Sequence, residues 1–162
     1  MQKRASLRKP TPMSTATDFL SLCNLVRTRG AQGRSITAVA GPPGSGKSTL
    51  ADRLADHLNA AEPGSAAVFA MDGYHYDDLI LNARGWRPRK GAPHTFDVAG
   101  YGAMLARLLK TPREAVAVPV FDRAADLSRA GAAIIEADTD LVVTEGNYLL
   151  LDDPAWAGLS AH

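Results

Sequence analysis

The chain has 162 residues, of which 46% are hydrophobic and 22% are charged, and its formal net charge is +1. This length supports one domain with a substantial core, and the small net charge argues against nucleic acid or a membrane as a partner. The single cysteine, Cys23, excludes an internal disulfide, and the histidines lack zinc-site spacing. Neither a transmembrane run nor a signal-peptide pattern is present in the sequence, so we expect a cytoplasmic protein.

The first 13 residues are basic, rich in proline and poor in residues that can pack. Their basic residues are Lys3, Arg4, Arg8 and Lys9. This composition predicts a disordered basic tail over residues 1–13 and a folded domain over residues 14–162. The domain begins with a predicted helix whose apolar face includes Phe19, Cys23 and Val26. A thiol on such a face is expected to be a core residue and not a nucleophile.

The most informative stretch follows an apolar run over residues 36–40, which is short enough for a buried strand. It matches the pattern G-x-x-x-x-G-K-[ST] with Gly41, Pro42, Pro43, Gly44, Ser45, Gly46, Lys47, Ser48 and Thr49. Residues 50–58 then show the apolar spacing of a helix. Glycines allow positive φ and close approach of backbone N–H groups to an anion, which the helix N-terminus also attracts.

Strand, glycine loop and helix together predict a nucleoside triphosphate site. Lys47 can reach the β- and γ-phosphates of the nucleotide, and the Ser48 hydroxyl can ligate Mg²⁺. A simple glycine turn between a strand and a helix would require neither residue.

A second apolar run over residues 66–71 predicts another buried strand, which leads directly into Asp72. Ligands of open α/β sheets bind at the carboxyl ends of the strands. Asp72 is therefore placed to accept a proton from an attacking hydroxyl, or to help hold Mg²⁺. The alternative is that Asp72 only caps a turn before Gly73.

Residues 77–97 carry many charges, and their glycines and prolines break any periodicity. We expect a long loop there, with basic groups that either meet an anionic ligand or remain solvated. A helix begins again at Asp97, which is a suitable N-cap for the apolar face that follows.

Three further strands are predicted in the second half of the chain. The first covers residues 115–121, and Pro119 within it favours an edge position or a bulge. The second is a short strand over residues 132–137. The third, over residues 141–144, leads into Glu145, which is placed like the second carboxylate that orders Mg²⁺ beside a phosphate loop.

Together with the phosphate loop, the segments MDGYH, KGAPHTFD, VPVFDR and VTEGNYLLLDDPAW resemble the family of uridine kinase, pantothenate kinase and phosphoribulokinase. The resemblance spans residues 34–158 and is greatest to the bacterial branch of fructose transport system kinases and nucleoside kinase-like proteins. It implies a three-layer α/β P-loop NTPase fold, in which helices flank a parallel sheet. It also implies an ATP- and Mg²⁺-dependent kinase that acts on a hydroxyl of a sugar, nucleoside or related metabolite.

The family pattern assigns roles to individual positions. It implies that Asp72 is the base for the acceptor hydroxyl and that Glu145 helps to position Mg²⁺. The residues that it implies for the acceptor pocket are Tyr74, His75, Arg89, Lys90, Asp97, Phe121, Asp122 and Arg123. For Asp97, the role of a helix N-cap is equally compatible with its position.

Family members continue into a lid whose arginines close over ATP, whereas this chain stops at His162. The sequence therefore leads us to expect either a form truncated at the C-terminus from a longer protein or a shortened family member with weak activity, in both cases without the lid. A non-catalytic ATP-binding module is one alternative function, since closing lids complete many such sites. A GTPase switch is another, because residues 97–100 read D-x-x-G, although the guanine-specifying N-K-x-D is absent. The sequence does not determine the oligomeric state, and a homodimer is compatible with it.

Overall fold

The computed structural model describes residues 6–7 and 16–161, and those residues form seven strands and five helices. The strands are β1 (Ser6–Leu7), β2 (Ser35–Ala40), β3 (Ala66–Ala70), β4 (Val116–Asp122), β5 (Leu127–Ile135), β6 (Leu141–Gly146) and β7 (Leu151–Asp152). The helices are α1 (Phe19–Gly30), α2 (Lys47–Ala61), α3 (Asp78–Ala83), α4 (Val98–Leu109) and α5 (Pro154–Ala157). None of the helices described is both long and apolar enough to cross a membrane.

A parallel sheet with the strand order β2–β6–β3 forms the centre of the molecule. Every residue of β6 is buried, as expected for the middle strand of a covered parallel sheet. Its register places Glu145 beside Val39 of β2 and beside Ala70 of β3. The phosphate loop, Glu145 and the segment after β3 therefore leave the sheet along the same edge.

Helices cover both faces of this sheet, which confirms the predicted three-layer α/β fold. Val143 packs with Cys23 of α1 and Leu54 of α2, whereas its neighbour Val142 packs on the opposite face with Tyr101 of α4. Successive side chains of a strand point to opposite faces, so a run of apolar residues in β6 serves both layers. Cys23 is 1% exposed, as expected for a core thiol.

A buried chain of hydrogen bonds fixes the sheet just before its functional edge. The Thr144 hydroxyl donates to the backbone oxygen of Phe69 at 2.5 Å, and the Tyr101 hydroxyl lies 2.5 Å from the Thr144 oxygen. Helix α4, β6 and β3 are thereby joined by polar groups that are all satisfied. The residue after Thr144 is Glu145, so this connection holds the strand end in place.

The strand predicted over residues 115–121 is β4, but it does not belong to the parallel sheet in the part of the chain described. It pairs antiparallel with β5, and the register shifts between Val118 and Val120, which confirms the bulge expected at Pro119. The strand predicted over residues 132–137 is longer, starts at Leu127 and forms the other half of this β4–β5 hairpin.

The segment over residues 77–97 contains more regular structure than the expected loop. Helix α3 occupies its first third, with the Asp77 side chain accepting a hydrogen bond from the backbone N–H of Leu79. Two short 3₁₀ segments follow, at Arg87–Arg89 and Pro93–Thr95. The predicted N-cap of α4 is confirmed, because Asp97 accepts a hydrogen bond from the N–H of Gly100 at 2.9 Å.

Within the predicted N-terminal tail, β1 pairs antiparallel with β7, so two of the tail residues are ordered against the domain. The remainder of the predicted tail, apart from these two residues, lies outside the described residues.

Candidate active site

The phosphate loop has the backbone geometry of an anion cradle. Gly44 and Gly46 have φ values of 76° and 84°, in the left-handed region that favours glycine. Gly46 is the N-cap of α2 and offers no side-chain hydrogen bond to the helix. The first N–H groups of α2 consequently have no side-chain cap and remain available for phosphate oxygens.

Lys47 spans this loop. Its Nζ donates a hydrogen bond to the backbone oxygen of Pro42 at 3.1 Å. The ammonium group is therefore held over the cradle by a single neutral acceptor, which an anionic phosphate oxygen would replace with a stronger, charge-assisted bond.

Ser48 and Glu145 meet at the end of the sheet. The Ser48 hydroxyl donates to Oε1 of Glu145 at 3.2 Å, and Glu145 is only 5% exposed. Burial raises the pKa of Glu145, and the nearby charge of Asp72 raises it further. The Ser48 hydrogen bond and the charges of Lys47 and Arg123 act in the opposite direction. Two oxygen ligands of the kind that Mg²⁺ prefers thus lie beside the cradle.

Asp72 lies in a 3₁₀ turn directly after β3, and its carboxylate is not used to cap that turn. In the described part of the chain no backbone N–H bonds to this carboxylate, and its ionic contact is with Arg123, at 3.7 Å from Oδ2 to Nη2. The glycine that follows it has a packing role, because a Cβ on Gly73 would lie 2.6 Å from the backbone oxygen of Pro119. Among the described residues, no backbone group of this turn therefore holds the Asp72 carboxylate.

These groups line two adjoining spaces. The larger, which we call the phosphate cleft, has a volume of about 530 Å³. The smaller, about 300 Å³, lies between β3 and the β4–β5 hairpin, and we call it the hairpin chamber. The residues that line both are Ser48, Asp52, Asp72, Arg123 and Glu145. Asp72 thus stands on the boundary between a space for phosphates and a separate chamber.

Two residues of the phosphate cleft were not assigned from the sequence. Asp52 lies one helical turn after Ser48, and a spacing of four residues on α2 places both on the same face. That spacing is the signal that would have identified it. Asn147 follows the strand end that carries Glu145 and also lines the cleft.

Tyr74 and His75, which the family resemblance implied for the acceptor pocket, occupy different environments. The His75 ring lies between Phe96 and Phe121, at centroid distances of 4.0 and 4.7 Å, and Phe121 lines the hairpin chamber. Tyr74 instead packs against the core, where burial raises the pKa of its hydroxyl to about 12. The Tyr74 hydroxyl lines none of the clefts described here.

Lys90 and Asp122 are engaged away from the cleft. Lys90 Nζ lies 2.9 Å from Asp78 and 3.1 Å from Asp126, and Arg87 bridges the same two carboxylates at 2.8 Å each. We call these four residues the Lys90 ion cluster. Asp122 accepts hydrogen bonds from the backbone N–H groups of residues 124 and 125, and so shapes the hairpin turn.

Arg89 and Asp97 line a third space of about 840 Å³, together with Tyr76, Phe96 and Trp156. This space shares no lining residue with the phosphate cleft or with the hairpin chamber. The structure therefore brings together the residues predicted for nucleotide and metal, with Arg123 and Phe121, and separates them from Arg89 and Asp97.

No protein-family model matches the chain, but comparisons with individual proteins identify relatives. The crystal structure of the "putative fructose transport system kinase" from Silicibacter sp. TM1040 is 43% identical and superposes with a TM-score of 0.78. The match covers 90% of this chain and 71% of that one.

Curated relatives match over a smaller share of their length. "Putative uridine kinase C227.14" of Schizosaccharomyces pombe is 38% identical over 133 residues, 78% of this chain and 56% of the relative. Pantothenate kinase of Sorangium cellulosum is 34% identical over 117 residues, 71% of this chain and 37% of the relative. The chain thus spans only 56% and 37% of the lengths of these two relatives. The resemblance predicted from its motifs is confirmed: the chain belongs to the P-loop kinase family of uridine kinase, pantothenate kinase and phosphoribulokinase.

Proposed function

We propose that this chain transfers the γ-phosphoryl group of ATP to a hydroxyl of a sugar, nucleoside or related small metabolite. The observation that carries the proposal is the position of Asp72, whose carboxylate borders both the phosphate cleft and the hairpin chamber. A donor in the cleft and an acceptor in the chamber would meet at this residue.

The donor is held by the loop and by Lys47. Uncapped N–H groups at the start of α2 bind phosphate oxygens, while Lys47 releases the Pro42 oxygen and moves its charge to the β- and γ-phosphates. Phosphoryl transfer depends mainly on such positioning and charge stabilisation, since the transition state is loose.

The oxygen atoms of Ser48, Glu145 and Asp72 fit a magnesium ion. No group of three or more His, Cys, Asp or Glu side chains is arranged to hold a metal within the described residues. Mg²⁺ typically takes one or two carboxylates from a protein and receives its other ligands from phosphates and water. When bound, Mg²⁺ supplies positive charge to the β- and γ-phosphate oxygens.

Asp72 acts on the acceptor. An acceptor hydroxyl in the hairpin chamber gives its proton to the Asp72 carboxylate while its oxygen bonds to the γ-phosphorus. The bond between the γ-phosphorus and the oxygen that bridges it to the β-phosphorus breaks, and ADP departs with that oxygen. Arg123, whose side chain is 76% exposed and lies 3.7 Å from Asp72, can move towards the transferred group. Among the described residues, Arg123 is the single arginine that lines the phosphate cleft.

The test separates binding from chemistry. Acceptor-dependent ADP release is measured across a metabolite panel, and ATP affinity is measured by calorimetry. Asp72→Asn should lower turnover by about 10²- to 10⁴-fold with little change in ATP affinity, which is the usual contribution of a general base. Lys47→Ala should abolish productive ATP binding. Full turnover by Asp72→Asn, or undiminished ATP affinity of Lys47→Ala, would contradict these roles.

A non-catalytic ATP-binding module is the second candidate, because the described residues provide one arginine to neutralise charge in the cleft. ATP binding without acceptor-dependent ADP release would favour it. The GTPase alternative has less support, since the Asp97 of its D-x-x-G caps α4 and lines the separate 840 Å³ space. Strict selectivity for GTP would revive that alternative.

A further inference from the structure

The hairpin chamber is lined by more acidic than basic side chains. Its ionisable residues are Asp52, Asp72, Glu145 and Arg123. The single arginine is already opposed by Asp72 at 3.7 Å. Bound Mg²⁺ would offset Glu145 and Asp72, so the chamber keeps the exposed carboxylate of Asp52 and, among the described residues that line it, no cation without an acidic partner.

Arg87 and Lys90, from the segment after α3, supply no unpaired cation either. Lys90 is 10% exposed and contacts two carboxylates, Asp78 and Asp126, and Arg87 contacts the same pair. Each cation is thus matched by an acid within the Lys90 ion cluster. Moving either of them to an anionic ligand would leave the two carboxylates sharing one cation.

The remaining wall of the hairpin chamber is apolar. It is formed by Val68 and Ala70 of β3 and by Val118, Val120 and Phe121 of β4. Such a wall offers no hydrogen-bond donor to a carboxylate or phosphate, and the cost of burying an unpaired anion against it is large. An uncharged compound can instead rest its carbon skeleton on this wall and direct a hydroxyl towards Asp72.

We propose that the hairpin chamber takes an uncharged hydroxyl compound and discriminates against acceptors that carry a carboxylate or phosphate, with Asp52 contributing to this selection. The inference rests on the proposed kinase function and narrows its substrate class. Asp52 suits this role because it is exposed on α2 and lines both the chamber and the cleft. Like charges repel over several ångströms even where solvent screens them.

Matched pairs of compounds that differ in charge provide the test. Suitable pairs are pantothenol and pantothenate, uridine and its 3′-monophosphate, and fructose and its 6-phosphate. Binding of each is measured by calorimetry with Mg²⁺ and a non-hydrolysable ATP analogue present, and phosphoryl transfer from ATP is measured separately. We expect at least one uncharged member to bind about tenfold or more tightly than its anionic partner, because the anionic group would face Asp52 and an apolar wall without an unpaired cation.

Asp52→Asn should reduce this preference by about two- to fivefold, the size expected for one exposed, partly screened charge. Asp56→Asn is the matched control, because Asp56 is exposed one turn further along α2 and lines none of the three spaces described. It should leave the preference unchanged.

Equal or tighter binding of the anionic members, or binding of no uncharged member, would overturn the proposal. An unchanged preference in Asp52→Asn would remove Asp52 from it. A clear preference in binding without any phosphoryl transfer would instead contradict the proposed kinase function and leave the selectivity of the chamber intact.

Discussion

Replacing Glu145 by glutamine should stabilise the fold at neutral pH while it weakens the use of Mg²⁺. Glu145 is 5% exposed, and both burial and the charge of Asp72 raise its pKa in the folded protein. The folded state therefore disfavours the ionised carboxylate more than the unfolded state does. Below the pKa that Glu145 has in the unfolded chain, its carboxyl group is protonated in both states and costs no stability. As pH rises through the higher pKa of the folded state, ionisation of the buried carboxyl destabilises the fold.

The magnitude follows from what glutamine keeps and what it removes. The amide oxygen can still accept the Ser48 hydrogen bond, now 3.2 Å long, and the shape of the side chain is retained. Only the charge is lost, and Lys47 and Arg123 already offset part of its cost. We expect a gain of about 1 kcal/mol, typical of a single stabilising substitution, and hence a rise in Tm of about 2–4 °C.

Thermal unfolding without nucleotide, followed by circular dichroism, measures this gain. It should be present at about pH 7.5 and absent at about pH 3.5, below the ordinary pKa of glutamate. Glu62→Gln makes the same chemical change at an exposed position and should shift stability by less than about 0.5 kcal/mol. In the activity assay, Glu145→Gln should need about 10- to 100-fold more Mg²⁺. A lower Tm at neutral pH, or an equal gain at both pH values, would refute the reasoning.

Gly46→Ala should cost about 1–2 kcal/mol, because Gly46 has a φ of 84°, and should also weaken ATP binding by calorimetry. Gly64 has a φ of 81° but lies outside the phosphate loop, so Gly64→Ala should cost similar stability and leave ATP affinity intact. Equal losses of ATP affinity in the two variants would argue against the cradle. Asn59→Ala should cost about 2 kcal/mol in denaturant unfolding, since the side chain makes two 2.9 Å hydrogen bonds with the backbone of Ala66. An unchanged unfolding midpoint would contradict that estimate.

The central elements could be predicted from the sequence because their signals are local. Strands β2, β3 and β6 are short apolar runs, and α2 has a continuous apolar face that begins at a recognisable loop. Asp72 and Glu145 followed from one topological rule, since parallel strands that share a sheet direct their carboxyl ends to the same edge.

Helix α3 and the first five residues of strand β5, residues 127–131, could not be predicted because the burial of their side chains follows no helical or alternating period. Leu79 and Ile80 of α3 are 81% and 41% exposed, and only Leu81 of that helix is buried. In β5, Ile135 alone is buried, so its residues do not alternate between core and solvent. Antiparallel pairing of β4 with β5 was likewise not readable from either strand.

The roles of the charged residues depend on partners that are distant in sequence. Lys90 bonds to Asp126, which lies 36 residues away and was not assigned any role from the sequence. Its neighbour Arg89 faces a different space from the one that contains Phe121. Residue type indicated a basic segment correctly, but only the fold shows which of its charges are already neutralised.

The Lys90 ion cluster also determines how the wall of the hairpin chamber is anchored. It joins the segment after α3 to the turn between β4 and β5 through charges, two of which, on Asp126 and Arg87, are 51% and 41% exposed. Ionic strength screens such exposed pairs, over a distance that falls from about 10 Å at 0.1 M salt to about 3 Å at 1 M. The apolar contacts that β6 makes with the helices on both faces of the sheet involve no charges and are not weakened by salt in this way. Concentrated salt should therefore loosen the tip of the β4–β5 hairpin while the central sheet stays folded. We expect salt to change the width of the hairpin chamber without unfolding the domain.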